Sequence, residues 1–198
     1  ETAVIVIAAT SGIGVNTRKM WEAAGKEGLA RMIVVTRIDG DNVDFPPVLE
    51  SIHETFGKQC IPMTLPVGQG QDFSDIVDVV NAPAEVPDGV IGDVAATHDE
   101  LMETALEADD ALLEKYLEEG EVGEDELSNV LVKAVRTGTV VPVLVANAKK
   151  GEGVEKVLDA VVKYAPSPVE GVRRQLQPAA GEGEPTPVEP DPEGDFLG

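Results

Sequence analysis

The 198-residue sequence has few basic residues, few aromatic residues and one cysteine. Fifteen Lys and Arg stand against 37 Asp and Glu, which gives a formal net charge of −22. A chain with this balance lacks the excess of cations that binds nucleic-acid phosphates, and an anionic membrane surface would repel it. We therefore expect neither nucleic-acid binding through bulk charge nor membrane association.

The single cysteine, Cys60, excludes an internal disulfide framework and indicates a reducing compartment, so we expect a cytoplasmic location. Because Cys60 starts a predicted strand, we expect it to be a small buried hydrophobic residue. The longest apolar run, from Ala3 to Ala9, is too short to cross a membrane. The sequence opens on Glu1 directly before this run, and from this we expect the cut end of a longer protein.

Acidic residues are concentrated in two segments of an otherwise near-neutral chain. Residues 85–126, which we name the acidic lobe, hold sixteen carboxylates and one base, Lys115. The tail from Pro178 onward holds six acids and no base, together with five prolines and four glycines. We predict that this tail is a linker without helix or sheet pairing. Its last apolar residues, Phe196 and Leu197, indicate that another domain begins there.

Continuous apolar runs predict four buried strands, at 3–9, 31–36, 60–65 and 140–146, the first of them buried on both faces. Helical patterns alternate with these runs. This alternation predicts an α/β fold with parallel strands and right-handed crossover connections.

Three helices of this body have recognisable ends or faces. The first is predicted from about Thr17, with Asn16 as its N-cap and Gly28 at its end. The second is predicted to begin at Asp44, with two prolines in its first turn. The inward stripe of the last helix is predicted to consist of Val154, Val157, Leu158, Val161 and Val162.

Two amphipathic helices are predicted in and just after the acidic lobe. Thr97 and Glu100 have the spacing of a capping box and are predicted to open the first, which continues to Gly120. The second is predicted over Glu124–Thr137. Their acidic outer faces indicate an inserted subdomain, and the alternative is a merely solvated helical surface.

No metal-binding or nucleophile motif occurs in the sequence. His53 and His98 are each alone among helix residues, so exposed helix positions are predicted rather than metal ligands. The segment TSGIG (10–14) follows a strand as a phosphate loop does, but it lacks the Lys and the Ser or Thr of that motif. It is therefore predicted to be a plain connecting turn.

Two strand ends are more informative, because ligands of open α/β sheets bind beyond the carboxyl ends of strands. The second strand ends VVTRIDG and the fourth ends VLVANAKKGEGV. Asp39 can accept two parallel N–H bonds from guanine, and a backbone N–H of the neighbouring end can donate to the guanine oxygen. The alternative is that Asp39 and Gly40 form an ordinary turn.

Several stretches together resemble the guanine-nucleotide domain of elongation factor G and similar translation GTPases. The strand and helix after the family's second phosphate motif are similar to AVIVIAATSGIGVNTRKMWEAA. The family's Asn-Lys-x-Asp guanine motif coincides with VVTRIDGDNVDF, and its Ser-Ala motif and last helix are similar to VPVLVANAKKGEGVEKVLDAVVKYAPSP. Its inserted subdomain is similar to LPVGQGQDFSDIVDVV and LMETALEADDALLEKYL.

The resemblance implies a guanine site at the two strand ends. Thr36 and Arg37 stand where the family has Asn and Lys, and Asn147 stands where it has Ser. Thr36 lacks the amide that supports the base, whereas the long stem of Arg37 can still pack under the ring. The implied guanine-binding residues are Thr36, Arg37, Asp39, Asn147, Ala148 and Lys149, with Ala148 contributing its backbone N–H.

The resemblance also implies that the chain is the C-terminal half of a P-loop-type GTPase domain with an inserted acidic, largely helical subdomain. Its divisions would be 1–66, the first part of this half; 67–139, the inserted subdomain; 140–168, the last strand and helix; and 169–198, a linker to a second domain. The phosphate loop, the switches, the catalytic motif and the Mg²⁺ site would precede Glu1. GTP or GDP is implied for the parent protein, and we expect no hydrolysis by this chain alone.

The parent protein implied by the resemblance is a monomeric GTPase that acts on the ribosome in translocation or a related step. Its insertion would contact the ribosomal stalk protein, through a surface for which Glu103, Glu107, Asp110 and Glu114 are the candidates. Their spacing predicts that they share one helix face. Two alternatives stay open: a pseudo-GTPase or ribosome-binding adaptor that no longer uses nucleotide, and an unrelated α/β interaction domain.

Overall fold

The computed structural model of the chain describes residues 1–119, 123–171, 174–176, 184–188 and 190–191. The predicted helix end at Gly120 and the predicted domain start at Phe196 and Leu197 lie outside these residues. In chain order, the elements are β1 (Thr2–Ala8), α1 (Val15–Lys26), β2 (Ala30–Thr36), α2 (Phe45–Phe56), β3 (Cys60–Pro62), β4 (Thr64–Val67), β5 (Asp75–Asp78), α3 (Val94–Leu106), α4 (Asp110–Glu119), α5 (Glu124–Thr137), β6 (Val141–Ala146), α6 (Val154–Tyr164), β7 (Gln175–Leu176) and β8 (Thr186–Pro187).

The central sheet has four parallel strands in the order β1-β2-β6-β3. Helices α1 and α2 follow β1 and β2, and α6 follows β6, so the α/β fold predicted from the alternation is confirmed. Strands β2 and β6 occupy the centre, where their continuous apolar sequences are buried on both faces.

Strand β1 was predicted to be buried on both faces, and this is wrong. Ile5 and Ile7 are buried, whereas Val4 and Val6 are 44% and 60% exposed. The strand pairs only with β2 among the described residues and lies at the sheet edge. This exposure follows from the edge position and from the lack, in the part of the chain that the structure describes, of an element covering Val4 and Val6. The local sequence pattern shows neither.

The single strand predicted at 60–65 is also wrong, because Met63 separates two short strands. Strand β3 pairs parallel with β6, and β4 pairs antiparallel with β5 in a second, two-stranded sheet. The Thr64 hydroxyl accepts a hydrogen bond from the Val145 N–H at 2.8 Å and so links the two sheets. The part of this segment that belongs to the parallel sheet therefore ends at Pro62.

Two of the predicted helix starts are wrong. Helix α1 begins after Gly14 rather than Asn16, with no side-chain cap. Helix α3 begins at Val94, because Asp93 accepts the Ala96 N–H at 3.0 Å and is the N-cap residue. The predicted N-cap, Thr97, lies inside the helix. The predicted start of α2 after Asp44 is confirmed.

The helix predicted to run through the acidic lobe to Gly120 is two helices, α3 and α4. The break falls at residues 107–109, where Asp109 accepts the Leu112 N–H at 3.3 Å and opens a new helix. Helix α5 occupies the predicted range and ends at Gly138, whose φ of +79° is the left-handed conformation that glycine adopts without strain.

The two faces of the central sheet carry separate hydrophobic cores. Alternating residues of the inner strands face opposite sides, so Val143 belongs to one core and Leu144 to the other. The first core includes residues of α2, β4 and β5, and the second includes residues of α3, α5 and α6. Helices α3 and α5 of residues 67–139 therefore cover one face of the sheet directly.

Helix α6 buries a different face from the one predicted. Leu158 and Val162 are 59% and 86% exposed, whereas Ala160 and Tyr164 are buried in the second core. The inward stripe predicted for this helix is therefore wrong at these two positions and at Val161, which is 37% exposed. The buried residues Ala160 and Tyr164 are one helical turn apart, and neither belongs to the predicted stripe.

The tail was predicted to form no sheet pairing, and this is wrong over a short stretch. Strands β7 and β8 pair antiparallel through two residues each, and the Val188 N–H donates to the Arg174 carbonyl at 2.9 Å. All four paired residues are exposed, so this ladder adds no core. Among the described residues, no helix combines the length and apolar character that a bilayer crossing requires.

Candidate functional site

The loops that follow β2 and β6 lie side by side at the carboxyl edge of the central sheet. The two strands pair in parallel, with Thr36 opposite Ala146. This register brings Arg37 and Asp39 to the same edge as Asn147, Ala148 and Lys149. The residues predicted from the two strand ends are therefore neighbours, because adjacent parallel strands end on one side of the sheet.

The loop after β2 is anchored by one buried side chain and leaves its charged groups accessible. Ile38 is 0% exposed, whereas Arg37 is exposed and Asp39 is half-buried. The Gly40 N–H donates to the Arg37 carbonyl at 3.1 Å, so the ordinary turn considered as the alternative does form. Within the described part of the chain, no hydrogen bond or ion pair occupies the Asp39 carboxylate.

Two backbone features show how tightly this loop is folded. Arg37 has a φ of +57°, a left-handed conformation that is uncommon for a residue with a side chain. A side chain at Gly40 would collide with the side chain of Thr10, which follows β1. The loop is therefore held in an unusual conformation by close packing against the neighbouring loop.

Thr36 and Asn147 take up structural hydrogen bonds. The Thr36 hydroxyl donates to the Ile7 carbonyl at 3.4 Å, across the strand pair. Asn147 is 3% exposed, and its Oδ1 accepts the N–H groups of Lys149 and Lys150, both at 3.2 Å. Its Nδ2 is buried and finds no hydrogen-bond partner among the described residues. Asn147 thus shapes the second loop from inside.

Ala148 and Lys149 form the exposed part of the second loop. The N–H groups before and after Ala148 are bonded, since Asn147 N–H donates to the Glu152 carbonyl at 2.8 Å. The Ala148 N–H itself has no acceptor in the described ranges. An unpaired carboxylate and an unpaired backbone N–H therefore lie on adjacent strand ends, and this donor and acceptor set fits the edge of a guanine base.

Residues between β4 and β5 that sequence reasoning missed contact these loops. Gln69 and Gln71, between β4 and β5, hydrogen-bond to Asp44 and Asp41, both at 3.0 Å. Lys150 Nζ donates to the Phe73 carbonyl at 3.0 Å. The only sequence signal was the spacing of two glycines around Gln69 directly after a strand, which indicates a tight turn but not its neighbours.

The segment after β1 folds into a turn that bonds part of its own backbone. The N–H groups of Ser11 and Gly12 both donate to the Ala8 carbonyl at 2.9 Å, so the connecting turn predicted for TSGIG is confirmed. In the ranges that the structure describes, no three His, Cys, Asp or Glu side chains cluster in a way that could hold a metal ion.

The histidines are not exposed helix residues as predicted. A ring nitrogen of His53 pairs with the Cys60 carbonyl at 2.9 Å, and one of His98 pairs with the Val79 carbonyl at 2.8 Å. Both rings are half-buried and tie their helices to strand ends. Cys60 is fully buried as predicted, and burial raises the pKa of its thiol to about 12.

All four candidate partner-binding carboxylates are exposed, but they do not share one helix. Glu103 lies in α3, Glu107 follows its end, and Asp110 and Glu114 lie in α4. The prediction of one continuous helix face is therefore wrong, because Asp109 caps a new helix between them. The four carboxylates lie along the exposed side of the α3–α4 junction.

Comparison with known proteins identifies the family, and the predicted resemblance to elongation factor G is confirmed. Elongation factor G of Thermotoga neapolitana is 30% identical over 184 residues, which are 86% of this chain and 26% of that protein. A crystal structure of a protein from Thermus thermophilus matches with a TM-score of 0.74 at 30% identity, over 85% of this chain and 27% of that one. The chain thus spans about a quarter of the length of these relatives.

The family assignment covers both halves of the candidate site. Residues 1–167, which include both loops and the helices between them, match the GTP-binding domain of elongation factor Tu. The chain therefore belongs to the elongation factor Tu GTP-binding domain family.

Proposed function

We propose that this chain is the guanine-base half of a cytoplasmic, monomeric translation GTPase of elongation factor G type, which acts on the ribosome in translocation or a related step. One observation carries the proposal: the unpaired Asp39 carboxylate and the unpaired Ala148 N–H lie on adjacent strand ends. Family membership supports a guanine nucleotide as the ligand.

In this proposal each residue of the site has a separate task. Asp39 accepts the N1–H and the exocyclic amine of guanine, and the Ala148 N–H donates to the guanine oxygen. The stem of Arg37 packs under the ring, Lys149 flanks the base, and Thr36 and Asn147 hold the two strand ends. GTP, when bound, would supply the phosphoryl group, and the residues named here would hold only its base.

The acidic lobe is proposed to be the partner-binding surface. Glu103, Glu107, Asp110 and Glu114 are exposed, and the apolar residues of their helices are packed in the second core. A partner would therefore meet carboxylates, which favours a basic surface. The ribosomal stalk protein is the partner that the likeness to elongation factor G suggests.

A second candidate function, a pseudo-GTPase or ribosome-binding adaptor, is favoured by the residues that differ from the family pattern, which are Thr36, Arg37 and Asn147. Thr36 lacks the amide that the family's Asn offers to the base, and its hydroxyl is bonded to the Ile7 carbonyl. A site without this support would bind the base less tightly. Retention of Asp39 and of the free Ala148 N–H favours the GTPase.

Substitution of Asp39 tests the base site directly. Asp39→Asn replaces an acceptor by a donor, so guanine should be rejected and xanthine, which has an oxygen in place of the amine, should bind better. Because this chain holds no phosphate site in the proposal, we expect affinity weaker than micromolar, measured by chemical-shift titration with GMP and XMP at millimolar concentration.

The matched control is Asp99→Asn, which removes the same charge at an exposed position of α3, outside both loops. It should leave the preference for GMP unchanged. If the Asp39→Asn variant had the same preference for GMP over XMP as the unchanged chain, the proposed site would be contradicted. Micromolar guanine binding by the chain alone would contradict its assignment as the base half only.

A further inference from the structure

A single short segment touches both loops of the proposed base site. Residues 68–73, which we name the brace segment, connect β4 with β5 and contain the 3₁₀ turn Gly70–Asp72. Its backbone reaches the first loop where the Gly70 N–H donates to the Ile38 carbonyl at 2.8 Å. Gly68 has a φ of +67°, and a side chain there would collide with the Asp72 backbone, so the segment is a compact turn.

Side chains of the brace segment complete its contact with the first loop. Gln69 Oε1 accepts the Phe45 N–H at 2.8 Å, and its Nε2 donates to Asp44 Oδ1 at 3.0 Å. Gln69 therefore satisfies the first N–H of α2, while Asp44 makes no cap bond of its own. Gln71 Nε2 donates to Asp41 Oδ1 at 3.0 Å.

The opposite end of the brace segment holds the second loop. Phe73 is buried, and its carbonyl accepts a hydrogen bond from Lys150 Nζ, which also lies 5.4 Å from the centre of the Phe73 ring. The Lys150 N–H is itself bonded to Asn147 Oδ1. Contacts at both ends of a six-residue segment thus join the loop of Asp39 to the loop of Ala148.

The first loop needs such external contacts to keep its shape. Its own backbone bonds are few, with Gly40 N–H to the Arg37 carbonyl at 3.1 Å and Val43 N–H to the Gly40 carbonyl at 3.3 Å. Arg37 and Asn42 both have a φ of +57°, a conformation that persists only where surrounding contacts impose it. The hydrogen bonds from Gln69, Gly70 and Gln71 are contacts of this kind.

We propose that Gln69 and Gln71 are positioning residues of the guanine site, which fix the loop after β2 so that the Asp39 carboxylate meets the base in line with the Ala148 N–H. The inference rests on the proposed function for the identity of the ligand, whereas the contacts of the brace segment with the first loop do not depend on it. The Gly68 N–H is bonded to the Gly89 carbonyl at 2.8 Å, so the brace is attached to the acidic lobe. The brace segment therefore connects the loop of Asp39 to the acidic lobe through its backbone.

The test compares Gln69→Ala, Gln71→Ala and the double variant with the unchanged chain. Hydrogen exchange of the Gly40 and Val43 amides, without ligand, should accelerate about threefold to tenfold for each lost side-chain interaction. Exchange of the β2 and β6 amides should stay unchanged, which shows that the fold is intact. Gln59→Ala is the matched control, since its amide donates to the Phe56 carbonyl at the far end of α2.

A second measurement separates positioning from simple loop stability. IMP lacks the exocyclic amine, so the ratio of GMP to IMP affinity reports how well Asp39 is placed. We expect this ratio to fall about threefold in the double variant and to be unchanged in Gln59→Ala.

The outcomes distinguish this inference from the proposed function. Unchanged loop exchange in the double variant overturns the brace whatever the ligand results are. Accelerated exchange with an unchanged GMP to IMP ratio overturns the positioning role. A wild-type chain that responds to neither nucleotide at millimolar concentration overturns the proposed guanine site, and the positioning role with it, while the exchange data still decide whether the brace exists.

Discussion

The carboxyl edge of the sheet and the acidic lobe both expose carboxylates, but they hold them differently. At the edge, Asp39 lies in a loop fixed by Ile38, Gly40 and the brace segment. In the lobe, carboxylates extend from helices whose apolar sides face the second core. A carboxylate in fixed geometry can discriminate between ligands that differ by one hydrogen-bond donor, whereas a set of exposed carboxylates acts mainly through its summed charge.

The few cations near the lobe reinforce this difference. Lys133 bonds to Asp109 and Lys115 to Glu126, each at 2.8 Å, and these hydrogen bonds lower the pKa of both carboxyl groups. Both pairs are solvent-exposed and are expected to contribute little to stability. They involve two of the sixteen carboxylates of the lobe, so the lobe keeps most of its negative charge.

The largest expected effect tests whether the two regions fold as one unit. Leu101 of α3 is fully buried in the second core, so Leu101→Ala should lower the free energy of unfolding by about 2–5 kcal/mol. The fluorescence of Trp21, which stacks on Phe56 in the first core at 4.3 Å, and the helix signal should then shift together in urea. Leu158→Ala, at a 59% exposed position, is the control, with an expected change within about 0.5 kcal/mol. Separate transitions would contradict a shared fold.

A second prediction concerns Asp78, a carboxylate of β5 between the two regions. Burial raises the pKa of Asp78, but hydrogen bonds from the Asn81 N–H and from Lys156, at 2.9 Å each, outweigh it and hold the pKa below its usual range. Such a group stabilises the fold above its unfolded pKa of about 3.9, and this stabilisation is lost as the pH falls through the folded pKa.

Asp78→Asn should therefore lower the stability at pH 7 by about 1–2 kcal/mol and have a vanishing effect at low pH. Urea unfolding at several pH values measures this difference. Asp75→Asn, at an exposed position of the same strand, is the control. An equal loss at all pH values would show that shape rather than charge is responsible.

The third prediction restores an amide at the edge of the sheet. In the full-length parent protein, Thr36→Asn should tighten guanine binding about threefold to tenfold, because an amide can add one or two hydrogen bonds. Thr36→Ser, which keeps only the hydroxyl bonded to Ile7, is the control. Unchanged affinity of the Asn variant, where the phosphate site is intact, would place Thr36 away from the base.

The smallest expected effect concerns the lobe. Exchange of Glu103, Glu107, Asp110 and Glu114 for Gln should slow association with the stalk protein about threefold at low salt, with the difference fading as salt is added. The control exchanges four exposed acids outside the lobe, Glu22, Glu27, Glu50 and Glu54, and so makes the same change in net charge. Equal slowing in both variants would leave only a general charge effect. Stability should be unchanged in both.

The parallel sheet and the pairing of the two site loops could be predicted because they follow from regular patterns. Apolar runs alternating with helices specify parallel strands, and parallel strands bring Asp39 and Ala148 to one edge. Cys60 could likewise be assigned to the core from its strand position. These predictions needed only the period and order of the elements.

The predictions that failed depend on neighbours distant in sequence or on competing local caps. Exposure of Val6 is set by the edge position of β1, which its apolar run does not encode. The α3–α4 break arises because Asp109 can cap a new helix inside a continuous helical pattern. Gln71 lies 30 residues from its partner Asp41, so no local pattern could reveal the brace.

The outer side of β1 has a consequence for the behaviour of the chain in concentrated solution. Its backbone groups on that side have no strand partner within the described residues, and Val4 and Val6 are exposed beside them. Such an edge is a template for pairing between two copies, which the net charge of −22 opposes at long range. Salt shortens the range of this repulsion to about 10 Å at 0.1 M, so colloidal stability should fall rather than rise as salt is added.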